Sequence, residues 1–202
     1  MKLARKFLFL TFAAMLVGIT RGGVADAQSA STNRWQWLNN TYWYVPSQYL
    51  LAVVSDPSLG PPIPVSDQTV YYISNYKGGY FWGTTAVSYT APHSEPSSPT
   101  CLQLVGSVTP EGEVHLTFTP LSSTTPAPAA PAPTIGIGNM TFQQSKWTME
   151  NQMSATVIGD LLLTHWAYLY QCTRGQPCFR SLPGVKTSIP DFLGPCMTQS
   201  PS

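Results

Sequence analysis

The sequence predicts an all-β fold, a single antiparallel β-barrel of about eight strands, with a β-sandwich as the alternative. Three observations carry this expectation. Apolar–polar alternations of period two recur along the chain. Clusters of Pro, Gly and Ser separate them, from a total of 19 Pro and 15 Gly in 202 residues. Charged residues make up only 9% against 12% aromatic, the balance of a secreted β protein; a disordered chain of equally low charge lacks aromatic and β-branched residues. Sequential hairpins in that number remove their edges by closing on themselves.

Lys2, Arg5 and Lys6 precede an apolar run from Phe7 to Ile19, and Ala25-Asp26-Ala27 supplies the small-x-small pattern of a cleavage site. The run is too short for the roughly 20 residues a helix needs to span a bilayer. Residues 1–27 are therefore expected to be a removed signal peptide, and residues 28–202 a single β-rich domain with no transmembrane segment, exported to the periplasm or the extracellular space. Without the signal, six basic residues face eight acidic ones. That balance argues against nucleic acid as a partner, since counterion release needs clustered Lys and Arg.

Taken in order, Trp37 to Val45 reads as an aromatic strand ending at Pro46, and Leu50 to Ser55 as a second. Asp56 to Pro64 carries four prolines and reads as an exposed loop. Gln68 to Tyr76 and Gly79 to Thr90 flank Lys77-Gly78 and form a hairpin, because Gly supplies positive φ without steric cost. Leu102 to Val108 and Glu113 to Thr119 surround a Thr109-Pro110-Glu111-Gly112 turn. In the second of these strands Val114, Leu116 and Phe118 alternate cleanly with His115, Thr117 and Thr119. The stretch 120–134 is a low-complexity Pro/Ala/Ser/Thr loop. Met140 to Met149, Gln152 to Ile158 and Leu161 to Cys172 complete the strands; the last fits a helix almost as well, but its aromatics favour strand.

Beyond residue 170 frequent Pro and Gly predict an irregular tail. Three of the four cysteines, Cys172, Cys178 and Cys196, lie there, with Cys101 upstream. No C-x-x-C pair occurs, so two structural disulfides are expected, in any of three connectivities, stapling the tail to the barrel.

Motifs that carry chemistry are sparse. His93, His115 and His165 are far apart and make no metal-ligating pattern. There is no Gly-x-Ser-x-Gly elbow, and Ser74-Asn75-Tyr76-Lys77 runs from a strand into a turn, out of place for a Ser-x-x-Lys nucleophile. Gly136-Ile137-Gly138 lacks the third glycine of a dinucleotide fingerprint and reads as easing entry into the next strand. No cofactor and no metal are expected. Six tryptophans and ten tyrosines supply core bulk, while Tyr76, Tyr80 and Trp82 beside the Lys77-Gly78 turn are the candidates for a ligand-stacking rim.

Trp43-Tyr44-Val45, preceded by Asn40-Thr41-Tyr42, resembles the Gly-x-Trp-Tyr opening strand of the calycin group, the lipocalins and avidins. The resemblance covers about six residues; the motif's glycine is absent, and the later Thr-Asp-Tyr motif of lipocalins has no match. It implies a secreted eight-stranded barrel that holds a small ligand, with Trp43 packed across the barrel floor. The expected function is that of an exported, non-enzymatic barrel binding a small apolar or aromatic ligand or a partner protein. The alternatives are an envelope-associated structural protein, and a hydrolase or isomerase whose site is assembled from distant residues such as His165, Asp160 and Glu150.

Overall fold

The computed structural model describes residues 34–47, 51–55, 60–121, 133–156 and 162–198. The expected signal peptide, most of the low-complexity loop and Asp160 lie outside them. Nine strands follow one turn of 3-10 helix at Gln36–Leu38: β1 Thr41–Tyr44, β2 Leu51–Ser55, β3 Ile63–Lys77, β4 Tyr80–Thr90, β5 Thr100–Val108, β6 Glu113–Pro120, β7 Thr134–Gln143, β8 Lys146–Thr156 and β9 Leu162–Cys172. From β3 to β9 each strand pairs antiparallel with its neighbour in sequence. Closure comes from β1 and β2, which both pair antiparallel with β3 on one side and β9 on the other. They occupy one stave in succession, so nine strands make a closed barrel of eight staves, and among the described residues no strand is left as an open edge.

Gln68 bridges the interruption in the shared stave. Its side-chain oxygen accepts from Val45 N–H at 3.2 Å and its amide donates to the Val45 carbonyl at 3.0 Å and the Pro183 carbonyl at 2.9 Å. A buried side chain thus satisfies backbone groups where the stave breaks.

The two ends of the barrel differ. Short turns at 78–79, 109–112 and 144–145 gather at one end; at the other lie the strand ends that longer stretches of chain join, β2 to β3, β4 to β5, β6 to β7 and β8 to β9. The short-turn end is plugged by tryptophan. Trp35 and Trp37 from the N-terminal segment meet Trp43 of β1 and Trp147 of β8, with ring centroids 5.1–6.1 Å apart. The Trp35 indole N–H donates to the Thr109 carbonyl at 2.8 Å, tying the plug to the β5–β6 turn. Trp43 is fully buried, and with Tyr71, Phe81, Leu104, Leu116 and Leu169 it belongs to the core inside the barrel.

A second core lies outside the wall. The tail packs over the outward side chains Val70 and Ala86 through Leu182, Ile189, Phe192 and Leu193. Disulfides Cys101–Cys196 and Cys172–Cys178 fasten it. The tail is more regular than its composition suggests: a short helix α1 at Pro177–Arg180 precedes α2 at Ile189–Met197. In α2, Ser188 caps by accepting from Asp191 N–H, Pro190 sits in the first turn where it removes no bond, and Pro195 falls near the end.

Four element boundaries differ from expectation. The alternation around Met140 to Met149 belongs to two strands, because β7 turns into β8 at Gln144-Ser145, both at positive φ without the Gly or Asn that signals such a turn. Pro64 lies within β3, near its start, where a missing N–H is tolerated. The Lys77-Gly78 hairpin turns instead on Gly78-Gly79, both at positive φ, and the stretch from Trp37 opens as a 3-10 turn before becoming a strand at Thr41.

Candidate functional site

Strand alternation places Asp67, Thr69, Tyr71 and Ile73 of β3 on the inner face of the barrel, Thr85 and Tyr89 of β4 beside them, and Asn151, Met153, His165 and Ala167 of β8 and β9 opposite. This makes a polar layer in an apolar tube. Towards the long-connection end it is collared by Ala52, Val65 and Leu163, with Val54 and Tyr89 packed against them. On its deeper side stand Tyr71 and Phe118, with ring centroids 5.4 Å apart, and Leu104. The Tyr71 hydroxyl reaches across the barrel to Met153 Sδ at 3.5 Å.

Asp67 is the buried carboxyl of this layer, 2% exposed. Its two oxygens accept from the Thr69 hydroxyl at 3.1 and 3.0 Å, and Oδ2 lies 3.3 Å from His165 Nε2. Burial pushes the Asp67 carboxyl up to about 7, the Thr69 hydroxyl only partly opposing it. The same burial brings the His165 imidazole down to about 4. At 3.3 Å the geometry would suit an ion pair, but both groups are displaced away from their charged forms. In this low-dielectric setting the pair is a carboxylic acid beside a neutral imidazole between those values. Burial, then the nearby Asp67, also raise the Tyr71 and Tyr89 hydroxyls, so both stay protonated at neutral pH.

Several groups in this layer lack hydrogen-bond partners within the protein: both side-chain polar atoms of Asn151, the Thr85 hydroxyl and His165 Nε2. Asn151 stands close enough to ease ionisation of Tyr71 but outside hydrogen-bond geometry. Buried groups of this kind are ordinarily paired, and each unpaired one costs about 1–3 kcal/mol. The layer therefore holds more hydrogen-bonding capacity than its own residues use.

Gly136 and Gly138 of β7 let β8 pack close against the wall at this layer. A Cβ at Gly136 would press on Met153 Cγ, and one at Gly138 would overlap the Glu150 carbonyl and crowd Asn151 Oδ1. Both glycines lie in mid-strand rather than at its entry, where they admit large neighbours.

The candidates near the β3–β4 turn are elsewhere. Tyr76 is half-buried against the core, and its hydroxyl accepts from Gly79 N–H at 3.1 Å. Tyr80 and Trp82 are 63% and 39% exposed at the short-turn end, and Trp82 is paired with Val105 on the outer wall. The structure does not gather the three around the long-connection end. His165 and Glu150 stand on opposite faces of the wall, inward and outward. Glu150 instead lines an open groove of about 410 Å³ with Glu113, His115, Ile137, Asn139 and Trp166. Among the described residues no group of three or more His, Cys, Asp or Glu is placed to hold a metal, and no helix is long and apolar enough to cross a membrane.

Sequence reasoning missed Asp67, Thr85 and Asn151. A signal was present: Asp67 shares its parity with Tyr71 and Ile73, and His165 shares its with Ala167 and Leu169, so each put an ionisable group on an apolar face. What no local pattern carried was their meeting, which depends on closure of the barrel through β1 and β2. Comparison with known proteins finds no matching family model, no matching curated protein and no matching solved structure.

Proposed function

We propose that this protein is an exported, non-enzymatic barrel that binds a small molecule with an apolar or aromatic body inside its long-connection end. The observation that carries the reading is the asymmetry of the interior: a tryptophan plug closes one end, while below an apolar collar at the other lie buried polar groups with unused hydrogen bonds. Apolar walls with a few convergent polar groups and perturbed ionisable residues are the usual composition of a ligand site. The two disulfides fit an oxidising destination, the periplasm or the extracellular space. The calycin resemblance around Trp43 agrees with this reading, since Trp43 packs in the plugged end.

Native mass spectrometry of protein purified without added ligand, followed by denaturation, tests it. A stoichiometric mass lost on denaturation is the expected result. A bare protein that also fails to retain small aromatic probes would overturn the reading.

The Asp67–His165 pair favours a second reading, an isomerase that moves a proton on the bound molecule, with the protonated carboxyl as acid and the neutral imidazole as base. Under that reading, the bound molecule incubated with the protein in deuterated water gains carbon-bound deuterium, and it gains none with Asp67→Asn. A pure carrier leaves it unlabelled.

A further inference from the structure

From the chamber's inventory of donors and acceptors we infer that its ligand is a small organic cation, a protonated amine whose nitrogen docks at Asp67 and whose apolar or aromatic body lies towards the collar of Ala52, Val65 and Leu163. This rests on the interior-binding reading above and specifies its ligand class.

Asp67 and His165 are the only ionisable Asp, Glu, His, Lys or Arg side chains buried among the described residues. Arg34, Lys77, Lys146, Arg174, Arg180 and Lys186 are all exposed. With no Lys or Arg buried beside it and His165 held neutral by burial, the Asp67 carboxylate lacks a resident cation, and a ligand bringing one would supply the missing partner.

The Asp67 oxygens share a single hydroxyl donor from Thr69. The Asn151 carbonyl oxygen is an unused acceptor and the Thr85 hydroxyl an unused donor and acceptor, while His165 Nε2 is turned to the Asp67 carboxyl. The Asn151 amide and the Thr85 hydroxyl are the donors left over. Acceptors outnumber donors, which suits an ammonium with three N–H groups and no acceptor. An anion would meet the Asp67 carboxylate and the same acceptors with little to receive it. Tyr71, Tyr89 and Phe118 add aromatic faces, which attract a cation and pack against an apolar body.

The groups that face Asp67 decide the pH dependence. They are Thr69 on its own strand, Tyr89 on β4, His165 on β9 and Tyr71 deeper in the tube. The tyrosines stay protonated and His165 stays neutral through pH 5–8, so Asp67 alone titrates there. Binding a cation below about pH 7 must first expel the carboxyl proton, so affinity rises with pH up to that point and then levels off.

The test is calorimetric titration of the whole exported protein with 2-phenylethylamine, 2-phenylethanol and phenylacetate. At pH 8 we expect the amine to bind about tenfold or more tighter than the alcohol, and phenylacetate not to bind. Amine affinity should drop about tenfold per pH unit below pH 7 while alcohol affinity stays level. Asp67→Asn, checked for an unchanged fold by its melting transition, should reduce the amine to the level of the alcohol and abolish the pH dependence of its binding. The pH series on the native chain needs no variant, so it decides the matter even if that substitution unfolds the protein. An alcohol that binds as tightly as the amine at every pH would overturn the cation assignment but leave interior binding standing. Failure of all three probes, with a bare native mass, would overturn both.

Discussion

His165 Nε2 lies 3.3 Å from Asp67 Oδ2 inside the barrel, joining β9 to β3 where the stave shared by β1 and β2 is interrupted. The two groups shift in opposite directions and so act oppositely on stability. Asp67, raised from 3.8 to about 7, keeps a proton in the folded state that the unfolded chain releases, so its contribution is complete below about pH 4 and is lost as pH rises to 7. His165, lowered from 6.5 to about 4, refuses a proton that the unfolded chain takes up, so its contribution is complete above pH 6.5 and is lost as pH falls to 4. Melting temperatures of two variants separate them. With Asp67→Asn, stability should rise from pH 4 to 6.5; with His165→Gln, it should fall from pH 4 to 7. Variants that both retained the native profile would contradict the pair.

Tryptophans at the plugged end and on the outer wall should differ sharply. Trp43 is buried and its indole donates to Thr41 Oγ1 at 3.0 Å. Trp43→Ala should cost about 3–5 kcal/mol in denaturant unfolding. Trp82→Ala, at a part-exposed outer position, should cost less than about 1 kcal/mol. Equal losses would mean that the division between core and wall is misplaced.

The disulfides close loops of very different length. Cys101–Cys196 spans 95 residues and Cys172–Cys178 spans 6. Loop-closure entropy assigns about 4–5 kcal/mol to the first and about 2 kcal/mol to the second. Paired Ser substitutions, Cys101 with Cys196 and Cys172 with Cys178, followed by chemical denaturation should reproduce that order. The first pair should also release α2 from the outer wall, seen as faster amide exchange in Ile189–Met197.

Gly83 stands opposite the irregularity in β3 between Ile73 and Asn75, and a Cβ there would overlap the Tyr72 carbonyl oxygen. Backbone cannot yield as a flexible side chain does. Gly83→Ala should therefore cost about 1–3 kcal/mol, read as a lowered denaturation midpoint; an unchanged midpoint would mean that the wall is looser here than described.

Much of the barrel was legible in the sequence because strand alternation is a local property. Val114, Leu116 and Phe118 declare the inner face of β6 without help from any other strand. The β7–β8 turn was hidden because Gln144-Ser145 adopts positive φ without a turn-forming residue. Helix α2 was hidden because Pro190 and Pro195 read as breakers, although one lies in the first turn and the other near the end. The chamber was the least legible part. Asp67 and His165 are 98 positions apart, and only ring closure brings them together. The aromatic candidates Tyr80 and Trp82 were conspicuous in composition, but a hairpin places alternate residues on opposite faces, and theirs is the outer one.

Histidine NMR tests the interior site most directly, because the three histidines are spread over different surfaces. His165 lines the chamber, His115 the outer groove, and His93 an exposed loop. On titration with 2-phenylethylamine at pH 8, the His165 ring signals should move and saturate at one equivalent while those of His93 and His115 stay in place. Movement of His115 with a still His165 would put the ligand in the outer groove and contradict an interior binding chamber.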